Sequence, residues 1–205
     1  MLQRKFIPGS KWFYIKIYTG IKTADTLLTG SIHTIIKQLK KEKLIDKWFF
    51  IRYSDPDFHL RIRILMKDTA SFGYITNLFY DRFRRLVDEN IIWNIKFDTY
   101  NRELERYGSS MIEYAETYFY IDSETILSLI KAISRNYREE YRWMISFKLI
   151  DNLLTDFSFS IEEKKELMSS LSNSFKLEFG IGKYNAKTLN KKYRENRKLL
   201  NEIIK

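Results

Sequence analysis

Apolar and polar positions along this chain follow two periods, one of strands and one of helices. After Pro8-Gly9, the run Trp12-Phe-Tyr-Ile-Lys-Ile-Tyr18 is aromatic and β-branched throughout, the composition of a strand. Leu28, Ile32, Ile35, Ile36 and Leu39 then recur at helical spacing and predict a helix over about residues 24 to 43 with one buried stripe. Trp48 to Tyr53 and Phe58 to Leu65 read as two further strands, joined by a hairpin turn at Ser54-Asp55-Pro56-Asp57. Phe72, Ile75, Phe79 and Phe83 predict a helix over about residues 69 to 88, and Ile91 to Tyr100 a further strand. Beyond Gly108 the pattern is helical, with helices expected at about 109 to 121, 123 to 134, 136 to 154, 161 to 177 and 187 to 204. Ser160 and Glu163 have the spacing of a capping box at the head of the fourth, and Gly180-Ile-Gly182 breaks the chain before the last. The predicted fold class is α+β: an antiparallel sheet with helices packed on it and a helical C-terminal half. No linker or repeat interrupts it, so residues 1 to 205 are expected to form a single domain.

Alternation within the second strand of the hairpin separates Leu60, Ile62 and Ile64 from His59, Arg61 and Arg63. A four-residue loop at 54 to 57 pairs Tyr53 with Phe58, Arg52 with His59, Phe50 with Arg61 and Trp48 with Arg63. One face then carries Arg52, His59, Arg61 and Arg63 among Phe50 and Trp48, and the other is wholly apolar. Arginines between large aromatics suit a carboxylate or phosphate, which guanidinium binds through two parallel hydrogen bonds. The alternative is a solvated sheet face with arginine stems lying over the rings.

Composition narrows the chemistry. There is no cysteine among the 205 residues, which excludes thiol nucleophiles, disulfides and cysteine-ligated metals, and His33 and His59 alone argue against a histidine metal site. No metal or other cofactor is expected. Nothing resembles a signal peptide or a membrane span, which points to a cytoplasmic protein. The net charge of +10 favours acidic ligands, but it is spread along the chain rather than gathered in an arm.

A second cluster, Tyr100-Asn-Arg-Glu103-Leu-Glu-Arg106-Tyr107-Gly108, places Glu103 and Arg106 three residues apart, within pairing distance on a helical turn. Taken together, Trp48 to Arg63, Tyr100-x-x-Glu103-x-x-Arg106-Tyr-Gly108, Ala115-Glu116 and Asp122-Ser123 resemble the C-terminal, elimination domain of the lantibiotic dehydratases, a domain type also found in thiopeptide biosynthesis. The resemblance covers about residues 9 to 134. It implies β-elimination of glutamate from glutamylated serine or threonine of a ribosomal precursor peptide, leaving dehydroamino acids. A separate dehydratase protein would attach the glutamate, and tRNA would belong to that partner rather than to this chain.

By resemblance, Arg61 or Arg63 and the Glu103 to Arg106 pair line the elimination pocket. With His59 added from its own chemistry, the expected catalytic set is His59, Arg61, Arg63, Glu103 and Arg106, with Arg52, Tyr100, Tyr107 and Lys192 around the substrate. Fixed cations hold the glutamyl group and the departing carboxylate, while a general base takes the α-proton. The family's late His-Met-x-x-Asn-Arg segment is echoed at Asn196-Arg197, with Lys192 in the histidine position, and Arg102 stands where the family often has proline. Glu103, His59, Tyr107 and Lys192 are the candidate bases; His59 ranks first, while arginines beside Glu103 would keep it ionised and suit it to orienting. Two alternatives stay open: a pyridine-forming cycloaddition of the thiopeptide kind, and a non-catalytic peptide-binding subunit.

Overall fold

The computed structural model describes residues 2–135, 141–178, 180 and 183–204. The chain divides into two compact units, Met1–Ala132 and Ile133–Lys205. In the first, β2 (Trp12–Thr19), β3 (Ile45–Ser54), β4 (Phe58–Met66) and β5 (Ile92–Phe97) form an antiparallel sheet in the order β3-β4-β2-β5. Phe13, Ile15, Ile17, Leu60, Ile62 and Ile64 alternate onto one face, where each is almost wholly buried. Against this face lie α1 (Ile21–Leu27), a π-helical turn at Leu28–Ile32, α2 (His33–Lys41) and α3 (Phe72–Asp88). Leu28, Ile32, Ile35, Ile36 and Leu39 are buried as their spacing predicts, as are Ile75, Phe79 and Phe83.

The other face of the sheet is covered only in part. A two-stranded pair, β1 (Lys5–Phe6) with β6 (Tyr100–Asn101), brings Phe6 and Tyr100 against Trp12, Tyr14 and Phe49 in a small second core. The strand expected over 91 to 100 is therefore split, and its end joins this second sheet. After the short α4 (Leu104–Tyr107), the helices expected at 109 to 121 and 123 to 134 are one helix, α5 (Ile112–Arg135). Asp122-Ser123 does not break it, because the Ser123 hydroxyl turns toward β3 and accepts the Phe50 amide at 3.1 Å. One residue further, Glu124 accepts from Trp48 Nε1 at 2.6 Å, so α5 caps the outer edge of β3.

The second unit holds α6 (Tyr141–Asp156), α7 (Ile161–Glu178) and α8 (Lys183–Ile204), with α6 packed on α8. The capping box forms as its spacing predicts: Ser160 Oγ accepts from the Glu163 amide at 3.2 Å, and Glu163 accepts from the Ser160 amide at 2.8 Å. The expected helix start at 136 and the Ile181-Gly182 part of the expected break lie outside the described residues.

The hairpin register differs from the sequence expectation by one residue. Ser54 pairs with Phe58, so the turn is the three residues Asp55 to Asp57, and Tyr53 faces His59, Ile51 faces Arg61 and Phe49 faces Arg63. Turn length sets hairpin register, and a one-residue change moves every side chain of one strand to the other face. Trp48 and Phe50 thus join Leu60, Ile62 and Ile64 on the helix side, and Arg52 goes with them.

Candidate functional site

The observed register sorts the outward face into three rows. The first is Asn94, Tyr18, His59 and Tyr53; the second Lys96, Lys16, Arg61 and Ile51. In the third, Tyr14 lies beside Arg63 and Phe49, and its carbonyl accepts the Asp98 amide at 3.3 Å. Where the third row meets β6 and α5 there is a cavity of about 170 Å³. Phe49, Ile51 and Arg63 come to it from the sheet, Glu103 and Tyr107 from the segment after β6, and Phe119 and Asp122 from α5.

Arg63 is the unusual residue. It is only 8% exposed, its Nε has no hydrogen-bond partner, and no carboxylate among the described residues lies within ion-pair distance. Its guanidinium is instead boxed by the rings of Tyr14 at 4.5 Å, Tyr100 at 4.8 Å and Phe49 at 5.3 Å. Burial pushes its pKa down from the usual arginine value. A buried cation held by ring faces and open to a cavity is suited to an incoming anion, whose charge-assisted bonds would satisfy the unused donors.

Of the other predicted residues, Glu103 and Tyr107 line the same cavity. Arg106 pairs with Glu103 at 3.2 Å, as the three-residue spacing suggests, but both side chains are more than half exposed. Arg61 stands one row away, its guanidinium 3.5 Å from the Tyr53 ring centre. Tyr100 contributes its ring rather than its hydroxyl, which donates to Glu116 Oε1 at 3.0 Å. Burial and the Glu116 carboxylate push its pKa up, so it carries no charge at neutral pH.

Two expectations change. His59, ranked first as base, is wholly buried and stacked on Tyr18. Its Nδ1 lies 2.8 Å from the Asp57 carbonyl and so carries the hydrogen, leaving Nε2 to accept Arg61 Nε–H at 3.1 Å. The lone pair a base would use is occupied, and burial pushes the pKa down, so His59 is a neutral prop for Arg61. Arg52 lies on the helix side of the sheet, paired with Asp25 of α1. Lys192 stands on α8 in the second unit, 4.8 Å over the Trp143 ring.

Two features of the site are not evident from the residues' spacing. Asp122, an exposed residue of α5, lines the cavity, and the partial desolvation of its carboxyl there pushes the pKa above the usual aspartate value. Arg102 is buried in a bidentate pair with Glu116, both contacts at 2.7 Å, and also donates to the Gln3 carbonyl. This pair ties the segment that presents Glu103 to α5. The Asp122-Ser123 and Ala115-Glu116 motifs were the available signals. Among the described residues no group of acidic or histidine side chains is placed to hold a metal ion, and no helix is long and apolar enough to cross a membrane.

Fold and site define an α+β domain whose sheet carries, on its open face, an arginine-centred cavity closed by one helix. Residues 12–205 match the family described as lantibiotic biosynthesis dehydratase C-term, and the chain belongs to that family. It is 30% identical over 133 residues to the nisin biosynthesis protein NisB of Lactococcus lactis subsp. lactis, covering 64% of this chain and 13% of that protein. It is 26% identical over 179 residues to the subtilin biosynthesis protein SpaB of Bacillus subtilis, covering 84% and 17%. The chain thus spans less than one fifth of the length of these relatives. Among solved structures, the tRNA dependent lantibiotic dehydratase MibB from Microbispora sp. 107891 superposes with a TM-score of 0.55 at 27% identity, over 62% of this chain and 12% of that one. TsrL superposes with a TM-score of 0.69 over 94% of this chain and 58% of its own, at 14% identity, a likeness of fold.

Proposed function

We propose that this chain removes glutamate by β-elimination from glutamylated serine or threonine of a ribosomal precursor peptide, after a separate dehydratase protein has attached it. The observation that carries this reading is the buried Arg63 guanidinium, without a described counter-charge, in a cavity shared with Glu103 and Asp122.

In the step itself, a base takes the α-proton of the esterified residue, its electron pair forms the Cα–Cβ double bond, and the Cβ–O bond breaks to release glutamate as a carboxylate. Arg63 receives a carboxylate of the glutamyl group and lowers the energy of the charge that develops as the ester oxygen departs. Asp122 is the proton acceptor in place of His59, since a carboxylate with a raised pKa is the stronger base. Glu103 lines the cavity with Arg106 paired to it from outside, and Tyr107 forms its wall against Phe119.

Mass spectrometry of a glutamylated serine peptide, before and after incubation with the purified protein, tests this directly. Loss of each glutamyl group to give a dehydrated residue is expected, and Arg63→Ala should reduce the rate by about 100-fold or more. An unchanged peptide mass together with peptide binding would establish a binding subunit instead.

A further inference from the structure

Like charges placed directly opposite on neighbouring strands repel and weaken a sheet. Here Lys96 of β5 stands opposite Lys16 of β2, and Lys16 opposite Arg61 of β4, so three cations cross three adjacent strands in one row. Asp98 answers Lys16 at 2.5 Å. Arg61 spends its Nε–H on neutral His59, and Lys96 lies exposed, 5.2 Å from the Tyr18 ring centre. Neither has an ion-pair partner among the described residues. The fourth member of the row is Ile51, which lines the Arg63 cavity. A line of incompletely neutralised charge therefore runs from the open sheet edge to the cavity mouth.

We infer that Lys16, Arg61 and Lys96 form an outer subsite for a second carboxylate of the peptide whose glutamyl group enters the Arg63 cavity. The inference rests on the reading of that cavity given above and adds the substrate class: a peptide with a second glutamyl ester or an acidic side chain close to the reacting residue. Arg61 and Arg63 are two residues apart on one strand, about 7 Å along it. Residues two apart on an extended peptide have the same spacing and point the same way. A peptide lying along β4 thus sets its second carboxylate two residues from the reacting one. The row's mutual repulsion is relieved when that carboxylate binds.

The test compares two synthetic peptides of one sequence by fluorescence anisotropy, the first with one glutamylated serine and the second with another two residues away. Wild-type protein is expected to prefer the doubly glutamylated peptide by about five-fold, the scale of a partly exposed ion pair. In Lys96→Gln and Lys96→Glu the ratio of the two affinities should fall to about one. Lys96→Glu, which supplies its own carboxylate to Lys16, should also melt at a higher temperature than wild type, which separates site loss from misfolding. A ratio of one in wild type, or a preference that survives Lys96→Glu, overturns the outer subsite. Arg63→Ala binding the singly glutamylated peptide as wild type does would overturn the cavity reading alone. A short RNA duplex that binds wild type but not Lys96→Glu, and is displaced by neither peptide, would assign the row to nucleic acid and overturn the carboxylate.

Discussion

Whether a side chain serves as base, prop or anchor is decided here by what its neighbours already use. A histidine in water has the pKa range of a general base, yet the accepting nitrogen of His59 is engaged by Arg61 and its other nitrogen by the Asp57 carbonyl. Asp122 carries the opposite balance: the residue is exposed, and its carboxyl, at the cavity wall, is desolvated enough to raise its pKa. An acid with a raised pKa in the folded state binds its proton more tightly there than when unfolded. Its contribution to stability is therefore greatest at low pH and declines as pH rises through the raised value. Asp122→Asn should abolish turnover while melting no lower than wild type at pH 7, and the two melting curves should converge near about pH 4. Thermal melts across that range, with the elimination assay at neutral pH, check both halves. The sequence named Asp122-Ser123 only as part of a motif, because the place of Asp122 at the cavity depends on β6, α4 and α5 meeting, which no local pattern encodes.

At the level of elements, the period of the apolar residues found the strands and the core-facing helices, since burial of one face is what creates that period. Alternation along β4 correctly separated Leu60, Ile62 and Ile64 from the arginines. It could not fix which residues of β3 stand opposite, because Asp55-Pro56-Asp57 is compatible with turns of different length. The break expected near residue 122 failed for a related reason: Ser123 is a poor helix interior residue by propensity, but its hydroxyl is used by β3. The Arg102 to Glu116 pair joins α5 to the β6 segment, with side chains 6% and 1% exposed. Glu116→Gln keeps the shape but leaves a buried guanidinium without its counter-charge and should destabilise the first unit by about 3–5 kcal/mol. Urea unfolding followed by tryptophan fluorescence measures this, and a shift under about 1 kcal/mol would mean that water or Glu113 compensates.

For the molecule as a whole, the excess of ten positive charges acts at longer range than any one contact. Carboxylate-bearing peptides are drawn toward such a surface, and screening by salt weakens the attraction beyond about 8–10 Å. Stopped-flow association of a glutamylated peptide should slow markedly between about 50 and 500 mM salt while dissociation changes far less. An association rate indifferent to salt would leave the charge a role in solubility alone. The α+β class and the all-helical second unit were legible from composition and period.

The three-residue turn between β3 and β4 has a bearing on how this fold can change over generations. Asp55 to Asp57 do not line the cavity and sit on a loop, where insertions and deletions are ordinarily harmless. Lengthening that loop by one residue would tend to re-register β3 against β4 and turn Phe49 and Ile51 away from the arginine row. Trp48 and Phe50 would arrive in their place. A remote loop is thereby a place where a single added codon would do more to the pocket than most substitutions within it, and its length should be among the most constrained features wherever the pocket is in use.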